Sequence, residues 1–124
     1  MTSQPSQTAT TSVRRTTDVT DADFEREVLG SDLPVLVDFW APWCPPCHQV
    51  APVLEQVAAE RSGRLRVVKV NSDEHPVTTA AHRVLGLPTL ILFVGGSPVL
   101  ELRGARSKSA LDRELDKVLA PQGG

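Results

Sequence analysis

The sequence predicts an α/β fold, a central mixed β-sheet flanked by helices on both faces. Three observations carry that expectation. Val35-Leu36-Val37-Asp38-Phe39-Trp40 is a nearly continuous apolar run, the pattern of a central strand buried on both faces. A helical stretch separates it from Leu65-Arg66-Val67-Val68-Lys69-Val70, a second buried strand, and that order gives a βαβ unit with parallel strands. Finally, Thr89–Val94 and Val99–Arg103 flank Gly95-Gly96-Ser97-Pro98, a join so short that it implies an antiparallel hairpin.

In chain order, Thr20-Asp21-Ala22-Asp23 is a capping-box pattern that should open a helix through Leu29, and Pro34 breaks it. After Cys44-Pro45-Pro46-Cys47 a helix should run to about Arg61. Val50, Val53, Leu54, Val57 and Ala58 form its apolar face, Pro52 interrupts it and Gly63 stops it. Residues 73–84 are weakly helical, with Pro76 near the start. Ser107 can cap a last helix whose Leu111, Leu115, Val118 and Leu119 make one stripe.

A length of 124 residues suits one domain, and 40% hydrophobic with 23% charged residues is the composition of a globular core. The net charge of −2, with both signs interspersed, argues against a nucleic-acid surface, which needs a clustered basic patch. No apolar run is long enough to span a membrane. Residues 1–12 are expected to be a flexible tail and 13–120 the domain. The Ser/Thr-rich start also carries Arg14 and Arg15 without acids, a bias shared with organelle transit peptides. It lacks the apolar segment of a secretory signal, so a reducing, cytoplasmic setting is expected, in which a cysteine pair has catalytic or metal-binding work.

Cys44 and Cys47 are the only cysteines, set where a central strand passes into a helix. A sulfur at a helix N-terminus faces unpaired backbone N–H groups and the positive end of the dipole, both of which favour thiolate. The thiolate is the attacking species in disulfide exchange, so Cys44 is the expected nucleophile. Cys47, one turn in and more buried, is the expected resolving thiol. If Cys44 is the N-cap, Pro45 and Pro46 fill the first two helical positions, where little hydrogen bonding is lost, and the Cys47 N–H can point at the Cys44 sulfur.

Three other readings compete. A purely structural pair gains little from so short a loop. A zinc site would need two more ligands from His48, His75 and His82. Cys44-Pro45-Pro46-Cys47-His48 also matches the C-x-x-C-H haem-attachment pattern, but Met1 is the only methionine available as an axial ligand and the motif follows a buried strand.

From about Val13 to Leu119 the order of features resembles the thioredoxin family. Asp38-Phe39-Trp40-Ala41-Pro42-Trp43-Cys44-Pro45-Pro46-Cys47 is similar to its active-site segment, and Pro52 to its helix-kinking proline. Val68-Lys69-Val70-Asn71 is similar to its third-strand signature, Gly86-Leu87-Pro88-Thr89 to its cis-proline loop, and Arg103-Gly104-Ala105 to its glycine turn. Two positions depart: Pro45 stands where the family has Gly, and His48 where it has Lys or Arg. These leave the reduction potential and the choice of partner open.

The resemblance implies a single-domain protein-disulfide reductase with no bound cofactor or metal, recharged by a thioredoxin reductase that uses NADPH. Clients would be disulfide-bearing proteins such as reductases and peroxidases, and the chain would work as a monomer, away from nucleic acid and membrane. Asp38 is an acid in an apolar strand, and burial should raise its pKa, which suits a proton acceptor for Cys47. The resemblance gives it that role, through water, with Lys69 as its charged neighbour. It also implies a cis bond at Pro88, which would set the Leu87 backbone beside the sulfurs to pair with an extended substrate. Trp43, Pro46, Leu87, Gly104 and Ala105 would form an apolar contact patch, with Trp43 rather than Trp40 facing substrate. His48, His75 and His82 read as surface residues, His48 with a possible charge effect on the thiols. Two alternatives stand beside this reading: a disulfide oxidant or isomerase, and a binding module that keeps the cysteines as a vestige.

Overall fold

The computed structural model describes residues 14–119. The expected tail over 1–12, together with Val13 and Ala120, lies outside the described residues. Among these residues, five strands and four helical segments follow in the order β1 (Thr17–Asp18), α1 (Glu25–Leu29), β2 (Val35–Trp40), α2 (Pro45–Glu60), β3 (Arg66–Asn71), α3 (Pro76–Ala81), β4 (Thr89–Val94), β5 (Ser97–Arg103) and α4 (Lys108–Val118). The strands form one sheet in the order β1-β3-β2-β4-β5. β1 and β2 run parallel to β3, whereas β4 is antiparallel to both β2 and β5. The mixed sheet is therefore as expected, parallel in its N-terminal half and closed by a hairpin.

Alternation along each strand divides the core in two. Leu36, Val67, Leu90 and Leu92 face α2 and α4, where they meet Val50, Leu54, Val57, Leu111 and Leu115. Val35, Val37, Phe39, Val68, Val70, Ile91 and Phe93 face the other way, against Phe24 and Val28 of the α1 segment. With both faces covered, the central strands carry apolar residues at nearly every position. Among the described residues, no helix is long and apolar enough to cross a membrane.

Several boundaries differ from expectation. The capping box forms by half: Thr20 Oγ1 accepts from the Asp23 N–H at 3.1 Å, but the Asp23 carboxylate turns to Arg26 instead of back to residue 20. The helix that follows is short and wide, its Gly30 N–H reaching the Glu25 carbonyl five residues back. That turn lets Phe24 and Val28 both reach the core. α2 ends at Glu60 with Arg61 as its C-cap, close to the expected end, but Gly63 does not stop it and sits at φ +83° in the turn beyond. β3 lies one residue later than read, α3 is confined to its Pro76–Ala81 portion, and β5 begins at Ser97 because Gly95 and Gly96 alone make the turn. Both have positive φ, as a two-residue hairpin turn requires. In α4, Ser107 caps through its Oγ to the Ala110 N–H at 3.2 Å; Leu111 and Leu115 are buried, but Val118 is exposed.

Candidate active site

α2 begins where β2 has ended, and Cys44 is its N-cap, with extended φ/ψ of −105°/104°. The Cys44 Sγ accepts from the Cys47 N–H at 3.3 Å, and Pro45 and Pro46 occupy the first two helical positions. Cys47 falls on the same stripe as Val50, Leu54 and Val57, so it turns towards the sheet. The two cysteines are joined as a disulfide, their Cα atoms 5.3 Å apart. Breaking that bond releases a sulfur that already has a backbone N–H and a helix N-terminus aimed at it, which stabilises a thiolate at Cys44.

Six residues before Cys44, within β2, lies Asp38. Alternation from Leu36 puts it on the α2 face of β2, between Lys69 on β3 and Leu90 on β4. It is fully buried, and neither carboxylate oxygen has a hydrogen-bond partner among the described residues. Burial pushes its pKa up to about 7, and the Lys69 charge opposes only part of that rise. The Lys69 ammonium lies over the Trp40 ring, 4.6 Å from its centroid. Asp38 is thus a carboxyl that can take or give a proton near neutral pH.

The remaining expected residues meet at the same end of the sheet. β2 pairs with β4 up to Phe39 opposite Thr89, so the Leu87–Pro88 segment lies beside the residues that follow β2. The Leu87–Pro88 bond is cis. Thr89 Oγ1 bridges the segment by donating to the Gly86 carbonyl at 2.6 Å, and the Gly104 N–H donates to the Pro88 carbonyl at 2.8 Å. No backbone hydrogen bond to the Leu87 N–H or C=O is found among the described residues. Trp43 is 66% exposed and Leu85 90%, while Pro45, Pro46 and Ala105 are also exposed and Leu87 and Gly104 half-buried. These residues present apolar side chains at the surface; a cleft of about 360 Å³ lies at the opposite end, against Leu33, Pro34 and Leu119. An exposed apolar patch of this kind suits a macromolecular partner.

The histidines correct the sequence reading. His75 is half-buried, and its Nδ1 accepts the Asp21 N–H at 3.2 Å, while the Asp21 carboxylate accepts from the Val77 and Thr78 N–H groups at the start of α3. His82, also half-buried, donates from Nδ1 to the Thr78 carbonyl and packs on Phe24 and Phe93. Both pin α3 to the body of the domain. His48 is exposed as expected, though its ring is tied to the Pro42 carbonyl. Two residues of the site carry no signal in the sequence: Asp73, whose carboxylate holds the Trp43 indole N–H, and Leu85, whose exposure no periodicity foretells. Among the described residues, no group of three or more His, Cys, Asp or Glu is placed to hold a metal ion.

Comparison with known proteins agrees with this geometry. The Thioredoxin family model matches residues 15–117. The chain is 54% identical over 101 residues to thioredoxin of Mycobacterium tuberculosis, covering 82% of this chain and 87% of that one. Against thioredoxin 1 of Nostoc sp. the identity is 50% over 101 residues, covering 82% and 94%. A bifunctional thioredoxin reductase/thioredoxin of Mycobacterium leprae is 50% identical over 104 residues, which cover 84% of this chain and 23% of that protein. With a bonded Cys44–Cys47 pair at the head of α2 and a mixed five-stranded sheet behind it, this chain belongs to the thioredoxin family and is a protein-disulfide oxidoreductase of the thioredoxin fold.

Proposed function

We propose that the chain is a cytoplasmic, monomeric reductant of protein disulfides with a Cys-Pro-Pro-Cys centre, Cys44 the nucleophile and Cys47 the resolving thiol. The Cys44 thiolate attacks one sulfur of a client disulfide, forming a mixed disulfide and expelling the other client sulfur as thiolate. Asp38 then takes the proton of Cys47, whose thiolate attacks the Cys44 sulfur and expels the second client sulfur. The client gains two electrons, its two thiolates take up one proton from solvent, where ionisation of Cys44 left it, and one from Asp38, and the centre is left as the Cys44–Cys47 disulfide. Lys69 tempers the basicity of Asp38.

Clients dock on Trp43, Pro46, Leu87, Gly104 and Ala105, while Pro88, buried rather than exposed, holds the Leu87 backbone to pair with an extended segment as an added strand. No bound cofactor takes part. A thioredoxin reductase carrying electrons from NADPH restores the dithiol, a partnership that the fused reductase/thioredoxin relative also suggests. Reductases and peroxidases that end their cycles as disulfides are suitable clients.

The observation that carries this reading is the cysteine pair at the head of α2 with a buried Asp38, unpartnered among the described residues, in the strand before it. It is tested by insulin reduction with NADPH and a thioredoxin reductase. Wild type should turn over and Cys44→Ser should not, whereas Cys47→Ser should accumulate a mixed disulfide through Cys44. A mixed disulfide that accumulates through Cys47 in Cys44→Ser, with none in Cys47→Ser, would reverse the two roles. Because Pro45 departs from the family pattern, the reduction potential tests direction: about −270 mV, the value for thioredoxin itself, supports a reductant, and about −180 to −120 mV an oxidant or isomerase.

A further inference from the structure

His48 is the motif residue to which the exchange gives no task. It sits in the first turn of α2, directly after Cys47, and its Nε2 lies 2.7 Å from the Pro42 carbonyl oxygen six residues earlier. A carbonyl oxygen only accepts, so Nε2 carries the hydrogen, and it does so in the neutral ring as well as in the imidazolium. The contact therefore survives either charge state. The ring stands edge-on to Trp40, with centroids 6.3 Å apart and planes at 76°.

The turn that His48 grips is the one that carries the chemistry. It runs from Ala41 to Cys44 and is closed by the Cys44 N–H donating to the Ala41 carbonyl at 3.2 Å. Trp43, within it, is held from the far side by Asp73. Pro45 and Pro46 contribute no N–H groups, and the next two are engaged at Cys44: the His48 N–H with its carbonyl, the Cys47 N–H shared between its carbonyl and its sulfur. The backbone of the first helical turn thus has no donor left for Pro42. A side chain has to supply it, and His48 is the residue that does.

We propose that His48 is a positioning residue for disulfide exchange: by donating Nε2–H to the Pro42 carbonyl, it fixes the turn that bears Trp43 and Cys44. The two departures from the family pattern then belong together, since Pro45 removes a backbone donor and His48 provides one from its side chain. The proposal rests on the reading of Cys44 as nucleophile. One such hydrogen bond, felt fully in the transition state, is worth roughly a three- to tenfold change in rate.

The test compares wild type with His48→Ala, His48→Phe and His48→Gln. The pre-reduced protein is mixed with insulin, and the second-order rate is followed by tryptophan fluorescence. Gln can donate to the same carbonyl without ever carrying charge, whereas Phe fills the ring's space without a donor. We expect His48→Ala and His48→Phe to lose about three- to tenfold and His48→Gln to stay within about twofold of wild type. Hydrogen exchange at the Trp43 and Cys44 amides, read without turnover, should rise in the first two and return in the third. A wild-type rate in His48→Phe, or His48→Gln as slow as His48→Ala, would overturn the proposal, as would unchanged amide exchange in His48→Ala. A wild type that reduces insulin no better than Cys44→Ser would sink the nucleophile reading instead, and the exchange data would still judge the tie.

Discussion

Asp38 and Lys69 face each other across β2 and β3, yet among the described residues they form no ion pair: the carboxylate has no hydrogen-bond partner there and the ammonium lies over Trp40. A buried carboxyl in that position is held closer to its neutral form than solvent would hold it. In the native state its pKa rises from 3.8 to about 7, chiefly by desolvation. Function and stability are therefore opposed at this residue.

The sign of the stability effect follows from proton binding. Between pH 3.8 and about 7 the native Asp38 keeps a proton that the unfolded chain has released. The stability associated with it is full below the lower value and is lost as pH rises through the upper one. At about 1.4 kcal/mol per unit, the loss is on the order of 4 kcal/mol. Oxidised Asp38→Asn should therefore gain several kcal/mol over wild type in urea unfolding at pH 8.5, with the gap closing towards pH 4. Parallel pH dependences for the two proteins would refute it.

Lys69 supplies the charge that opposes the rise. Removing it in Lys69→Met should move the Asp38 titration above about 7, as read by carboxyl 13C shifts in the oxidised protein. A downward movement would show that the lysine acts on Asp38 other than through its charge.

Trp43 keeps its orientation although it is exposed, because its Nε1–H donates to both Asp73 oxygens at 3.2 and 2.9 Å. Asp73→Ala should free the ring and lower its fluorescence anisotropy while costing under about 1 kcal/mol of stability, as exposed hydrogen bonds do. Asp73→Asn, which keeps an acceptor, should restore most of the anisotropy. Equal anisotropy in all three would mean that packing alone orients the indole.

The hairpin turn offers a matched pair. Gly95 and Gly96 both have positive φ, 61° and 84°, but a Cβ on Gly95 would meet nothing within 4 Å and one on Gly96 would stand 2.8 Å from the Leu29 carbonyl oxygen. Gly95→Ala should cost about 1–2 kcal/mol for its left-handed backbone. Gly96→Ala should cost clearly more, because β4–β5 and α1 must then separate. The two urea midpoints decide it, and equal losses would show that the contact with Leu29 yields freely.

What the sequence made legible follows from how local each signal is. Val35–Trp40 and Thr89–Val94 announce themselves because strands covered on both faces need apolar side chains throughout. Cys44, the two prolines and Cys47 give the head of α2 because capping is decided within a few residues. The opening of α1 failed because a wide turn that seats Phe24 and Val28 depends on the core above it. Asp73 could not be found, since what makes it matter is an indole thirty residues earlier. His75 and His82 went wrong for the same reason: their partners Asp21, Phe24 and Phe93 are distant in sequence, and a lone histidine gives no hint of what it packs against.

Leu119, the last residue described, borders the cleft that also holds Leu33 and Pro34, which immediately precede β2, whereas Cys44 follows the other end of that strand. Six residues at about 3.3 Å of rise separate the two ends by roughly 20 Å. An anchor at Leu119 would therefore hold the molecule at the end of the sheet away from the cysteine pair. Coupled there to a resin or an electrode, the protein would retain an unobstructed face for exchanging electrons with whatever flows past.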